Sequence, residues 1–182
     1  MNIENGVIKE SVYEELRSWS SSVLEEPNPH LSGLPACPYA KKSWSDGRIN
    51  VLVGEDVLDL KKAISLYDPV STDILIWVNF NLGRQNLWER WVSLWNKRYV
   101  KNDIHLMLFH PDYPPSDDDE DFLTDNEWES SLDDYMMVFI QSLSKLNKAS
   151  VALDGIGYYN HFSDHLYETL VLNRRRICDG DG

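Results

Sequence analysis

The chain has 182 residues, 42% hydrophobic and 12% aromatic, and its 17 Lys and Arg stand against 30 Asp and Glu for a formal charge of −13. That length and apolar content fill one domain with a proper core and exclude wholesale disorder, and no run approaches the ~18 uncharged apolar residues of a membrane span. Twelve of the acidic side chains fall between Asn102 and Ser144, where there is no Lys or Arg, and no clustered basic face is left for nucleic acid.

Ile8, Val12, Leu16, Trp19 and Val23 recur at three- and four-residue spacing, which predicts an amphipathic N-terminal helix over 8–24, ended by Pro27 and Pro29. The stretch up to Pro38 reads as an ordered loop, followed by a short helix that starts near Cys37 and Pro38 and stops by Gly47. Alternation of Ile49, Val51 and Val53 predicts a first strand over 48–54. A helix follows over 55–67, with Val57, Leu60, Ile64 and Leu66 apolar. Thr72 to Phe80 is almost continuously apolar and β-branched, through Ile74 to Val78, and suits a central strand covered on both faces. Leu87, Trp91, Leu94 and Trp95 mark a helix over 84–99; Trp88, Trp91 and Trp95 share one helical stripe and are assigned, with Trp77, to the core. Ile104 to Phe109 is a third strand that runs into Pro111. The apolar run Met136 to Ile140 fits either a fourth strand or the start of a helix, and helices over 143–151 and 162–176 close the chain.

Strands alternating with helices predict the α/β class (or α+β): a single-domain sandwich over 1–176, with a mixed sheet of about four strands flanked by helices. An acidic loop over 112–134 lies within it, and 177–182 is a flexible tail. Neither glycine-rich phosphate-binding signature occurs. The N-terminus has no basic cluster ahead of an apolar stretch, and Cys37 and Cys178 are far apart. A cytoplasmic address with free thiols is therefore expected, without a disulfide framework or a paired-cysteine zinc site.

Chemistry concentrates in two segments. If Cys37 caps the short helix and Pro38 is its first residue, the thiol faces unpaired backbone N–H groups and the helix's positive end, with Lys41 and Lys42 one turn away. Those surroundings favour thiolate. Cys-Pro-Tyr is similar to the start of a glutaredoxin site, but Ala40 stands where the second cysteine belongs. The other segment is Leu108 to Tyr113, at the C-terminal end of a strand, where ligands of open α/β sheets sit. There His110 is a candidate acid, base or metal ligand and Asp112 its orienting carboxylate. His105, five residues earlier, projects to the opposite face. No metal site is assigned: Asp117 to Asp121 lacks the glycine and spaced ligands of a calcium loop, and His161 and His165 lack a third ligand.

Cys37-Pro38-Tyr39-Ala40, Gly47-Arg48-Ile49 and Phe109-His110-Pro111-Asp112-Tyr113 resemble, in order and approximate spacing, a small bacterial domain-of-unknown-function family with Cys-Pro-Phe-Ala and Phe-His-Pro-Asp-Tyr motifs. The resemblance covers roughly Trp19 to Arg176. It implies a strand at Met136 to Ile140 and no particular reaction. An arginine that the family carries before its last strand is missing from Asn126 to Leu132.

Two functions are expected. The first is an enzyme whose site joins Cys37, as nucleophile or metal ligand, to His110 as base, Asp112 as orienting carboxylate and Tyr113 as hydrogen-bond donor. Tyr39, Lys41, Trp44 and Arg48 then contact a small-molecule substrate, and Cys37 Sγ lies within about 8 Å of His110. The alternative is a non-catalytic protein whose acidic loop docks a basic protein partner, with Phe122 and Trp128 as anchors. The sequence names no cofactor, and neither nucleic acid nor membrane is an expected partner.

Overall fold

A strand that is apolar on both faces needs helices on both sides of its sheet. The computed structural model, which describes residues 3–31, 33–112 and 134–179, has that arrangement. α1 (Ile3–Trp19) continues into a π turn at Ser20–Leu24, and after a loop α2 (Ala40–Ser45) leads into β1 (Ile49–Val53). α3 (Val57–Leu66), β2 (Ile74–Asn79), α4 (Gln85–Tyr99) and β3 (Ile104–Phe109) follow. β4 (Met136–Ser142) runs directly into α5 (Leu143–Asp154), and the chain closes with α6 (Asp164–Tyr167), a π turn at Glu168–Leu172 and α7 (Asn173–Asp179). No helix among the described residues is long and apolar enough to cross a membrane.

The sheet order is β1-β2-β4-β3. β1 and β2 are parallel, and β4 pairs antiparallel with both β2 and β3, so β1, β2 and β3 share one direction and β4 is inserted against it. The fold is therefore α/β with a mixed sheet. Insertion between two neighbours explains why Met136 to Ile140 is apolar at every position: the strand is covered on both faces, and the choice between strand and helix resolves to strand.

Alternation along each strand sorts the side chains onto two faces. On one, here called face one, Ile49, Val51, Ile76, Val78, Met137 and Phe139 pack with Val12, Leu16 and Trp19 of α1 and Trp44 of α2. On face two, Leu75, Trp77, Leu106, Met136, Val138 and Ile140 pack with Leu60, Ala63 and Ile64 of α3 and Val92 of α4. The Asp56 carboxylate caps α3 by accepting from the N–H groups of Leu58 (2.8 Å) and Asp59 (3.0 Å). Ser142 caps α5 by accepting from the Lys145 N–H at 3.2 Å, and is itself bonded to Asp103 at the start of β3.

Two expectations need correction. The short helix starts at Ala40, with Cys37 and Pro38 in the preceding turn, where the Cys37 carbonyl accepts from the Ala40 N–H at 3.1 Å. Trp91 does not join the core: it is 44% exposed, beside exposed Leu87 and Leu94, while half-buried Trp88 and Trp95 face the sheet with Val92. α4 thus carries two apolar stripes, and only one is covered.

Candidate functional site

The amino ends of β1 and β2, the last residues of β4 and the facing surfaces of α2 and α5 enclose two adjoining chambers on face one. The inner one, of about 380 Å³, has Ile76, Met107, Phe109 and Phe139 of the sheet as its floor. Leu16 and Trp19 of α1 and Trp44 of α2 line its side, and Leu153, Tyr158 and Phe162 lie across from them. The outer groove, of about 470 Å³, opens between α2 and α5 and is edged by Lys42, Asp46, Arg48, Asp73, Lys145 and Lys148. Cys37, Tyr39, Ala40, Ile74, Gln141, Leu146 and Ala149 line both chambers and form the wall where they meet.

The charged edge is partly a fixed frame. Arg48 donates to both oxygens of Asp73, from Nε to Oδ2 and from Nη2 to Oδ1, each at 2.9 Å, and its Nη1 donates to the Val70 carbonyl at 3.0 Å. Lys145 Nζ donates to the same carboxylate at 3.0 Å, and Ser43 Oγ does so at 3.0 Å. The Arg48 guanidinium, chiefly, holds the Asp73 carboxyl well below the usual carboxylate range. Lys42 pairs with Asp46 at 2.6 Å on the surface. Lys148 has no hydrogen bond or ion pair among the described residues. Four cations against two carboxylates make this edge locally positive in a strongly acidic chain.

No family model, curated protein or solved structure matches the chain.

The structure brings some of the expected site residues together and separates others. Cys37 is held by its N–H bond to the Leu24 carbonyl at 2.9 Å. Burial pushes its thiol up, outweighing the Tyr39 and Ala40 backbone contacts that favour thiolate. The amino end of α2 thus acts on the thiol through Tyr39 and Ala40, but burial outweighs it. Tyr39, 46% exposed, lines the wall between the chambers, and buried Trp44 lines the inner one with its Nε1 donating to Ser20 Oγ at 2.8 Å. Arg48 edges the outer groove but is committed to Asp73. Lys41 faces solvent and lines neither chamber; Lys42 does instead.

His110 lies elsewhere. It follows the carboxyl end of β3 and continues the face-two alternation of Leu106 and Leu108, whereas Cys37 packs on face one near the amino ends. Six residues of strand, about 20 Å, and the thickness of the sheet part the two residues, so the expected approach of Cys37 to His110 is not seen. His110 is buried, and both ring nitrogens serve the backbone: Nε2 donates to the Leu82 carbonyl at 3.1 Å and Nδ1 accepts from the Asp112 N–H at 3.2 Å. Exposed Asp112 places Oδ2 3.8 Å from Nδ1. Tyr113, Phe122, Trp128 and nearly all of the 112–134 acidic loop lie outside the described residues, as do 180–182 and the side chains of His161, His165 and Cys178.

Gln141, Asp73, Lys145, Lys148 and Ala149 were not singled out by sequence. A signal for Gln141 existed: it is polar in an otherwise apolar strand, and its parity with Met137 and Phe139 puts it on face one. The others become neighbours only through the sheet order.

Proposed function

We propose that this protein binds a small amphipathic anion, an apolar body bearing a carboxylate or phosphate, in the two-chamber cleft on face one. The observation that carries this reading is the sharing of one wall by an apolar inner chamber and a cation-edged outer groove. Concave, mostly apolar sites of a few hundred Å³ with a few convergent polar groups are where proteins hold small molecules. Lys148 and Lys42 take the head group, the inner chamber takes the body, and Cys37, Tyr39 and Trp44 act as walls. A catalytic role for Cys37 has less support, because its thiol is disfavoured as thiolate and His110 is not beside it. His110 instead ties the exit of β3 to the loop after β2.

Calorimetric titration tests this with dodecanoate, decanol and acetate. Dodecanoate binds saturably with micromolar affinity, decanol more weakly, and acetate not measurably. Lys148→Glu weakens dodecanoate roughly two- to fivefold at low salt and leaves decanol unchanged, since an exposed charge contributes little and is screened. Ala149→Phe, which fills the shared wall, removes binding of both. Absence of saturable dodecanoate binding, or binding untouched by Ala149→Phe, contradicts the reading.

A further inference from the structure

The outward face of α4 combines apolar surface with positive charge in a chain of net charge −13. Leu87, Trp91 and Leu94 form one stripe at four- and three-residue spacing, each about half exposed. By the helical repeat, exposed Arg84 continues the stripe at its amino end, exposed Arg98 and Lys101 continue it at the carboxyl end, and exposed Arg90 and Lys97 run along one side. None of these five cations has an ion pair among the described residues, and Arg98 alone has a ring contact, with Tyr99. The one acid of the helix, Glu89, lies nearly half a turn away from the stripe, where it accepts from Gln85 at 3.1 Å. Lys97 and Arg98 suit the negative end of the helix dipole, but Arg84 at the N-cap opposes its positive end, and Lys97 and Arg98 each repel Lys101 at four- and three-residue spacing. The stability of α4 therefore does not account for this arrangement, whereas a negatively charged partner does.

We infer that this face docks a protein partner through an acidic amphipathic helix. The partner's apolar residues, at the same three- and four-residue spacing, pack along Leu87, Trp91 and Leu94, with Trp91 as the anchor. Its flanking Asp and Glu side chains meet Arg90 and Lys97 along the side and Arg84, Arg98 and Lys101 at the ends. The stripe is about 10 Å long, two turns, which is the footprint of one crossing helix. Two copies of this face would set cations against cations, so self-pairing is disfavoured. Nucleic acid supplies the charge but leaves Leu87 and Leu94 without apolar surface, and an anionic bilayer is a plane that brings its charge up to the rest of a strongly acidic chain. Because α4 covers face two and the cleft lies on face one, this docking is independent of the binding reading above.

Fluorescence anisotropy tests this with the full chain and a labelled peptide of about eighteen residues, with Leu at alternating three- and four-residue spacing, Glu beside that stripe and Ala on the far side. The peptide binds with a Kd of roughly 10 μM at low salt and about tenfold more weakly in about 0.5 M salt. Arg90→Glu combined with Lys97→Glu weakens it about tenfold, and so does Trp91→Ala, with Leu94→Ser in its place should the tryptophan variant fail to fold. A peptide of the same composition with its leucines scattered off the stripe, and one with Gln for every Glu, each bind about tenfold more weakly than the original. Three results overturn the inference: no binding of the original peptide, equal binding of the scattered one, or binding that the charge-reversed protein keeps. Tighter binding of phosphatidylglycerol vesicles or of duplex DNA than of the peptide, lost in the same charge-reversed protein, also overturns it and gives the face to that partner instead.

Discussion

His110 gives both ring nitrogens to the backbone, whereas His105, on the other face of the same strand, is half-buried with an Nδ1 that has no partner among the described residues. Burial, together with the nearby Arg174 cation, lowers the His105 value from 6.5 to about 4. An unfolded chain therefore holds a proton on this histidine in the window between those values that the folded chain does not. Stability falls as pH drops from about 6.5 to about 4, and below that this group adds no further loss. Urea denaturation compares the chain with His105→Leu: on going from neutral pH to about 4.5, the unaltered protein loses roughly 2–3 kcal/mol more than the variant. Parallel losses contradict the assignment. At this scale the sequence was informative about which side chains are unusual and less so about what they do. Cys37 and His110 stand out as chemically dense positions, yet the thiol's state turns on how deeply the fold buries it, and the imidazole's role on a carbonyl 28 residues away at Leu82.

The strands and most helices were legible because hydrophobic period reports burial. β1, β2 and β3 fall within their expected spans, and the ambiguous run at Met136 became β4 because two neighbouring strands complete its hydrogen bonding. α4 shows why period alone misassigns a face. It has apolar residues on two stripes, and packing against the sheet selected Trp88, Val92 and Trp95 over Leu87, Trp91 and Leu94. The junction after β1 makes a sharper demand. Gly54 donates its N–H to the Val78 carbonyl at 2.9 Å, and a Cβ there would overlap the Trp77 indole and come within 2.9 Å of the Asp59 Cβ. Trp77 is fully buried beneath Trp88 and cannot swing away cheaply. Gly54→Ala therefore destabilises the fold by about 2 kcal/mol, read as a Tm drop of roughly 4–8 °C. An unchanged Tm contradicts this account of the β1 exit.

Over the whole molecule, the cleft is a product of topology. β4 runs opposite to its neighbours, so its last residues, Gln141 and Ser142, lie beside the amino ends of β1 and β2 and deliver α5 across from α2. Residues separated by a hundred positions, Tyr39 and Leu146 among them, then share one wall. Of the expected site, the half at the Cys37 helix entry lines this cleft, whereas the half at the carboxyl end of β3, the usual place in open sheets, does not, and an inserted antiparallel strand is not visible from period alone. The outer edge gathers lysines in a chain whose overall charge repels anions, and this sets an expectation about salt: dodecanoate affinity falls as ionic strength rises, and decanol affinity does not. The exposed stripe of Leu87, Trp91 and Leu94 on the opposite side of the sheet is an internal control, since a merely greasy probe would settle there. The most direct measurement is a heteronuclear NMR titration with dodecanoate. The account predicts saturating shifts at Cys37, Ala40, Gln141, Leu146 and Ala149, with the α4 stripe unmoved; shifts confined to Leu87, Trp91 and Leu94, or none that saturate in the cleft, would contradict it.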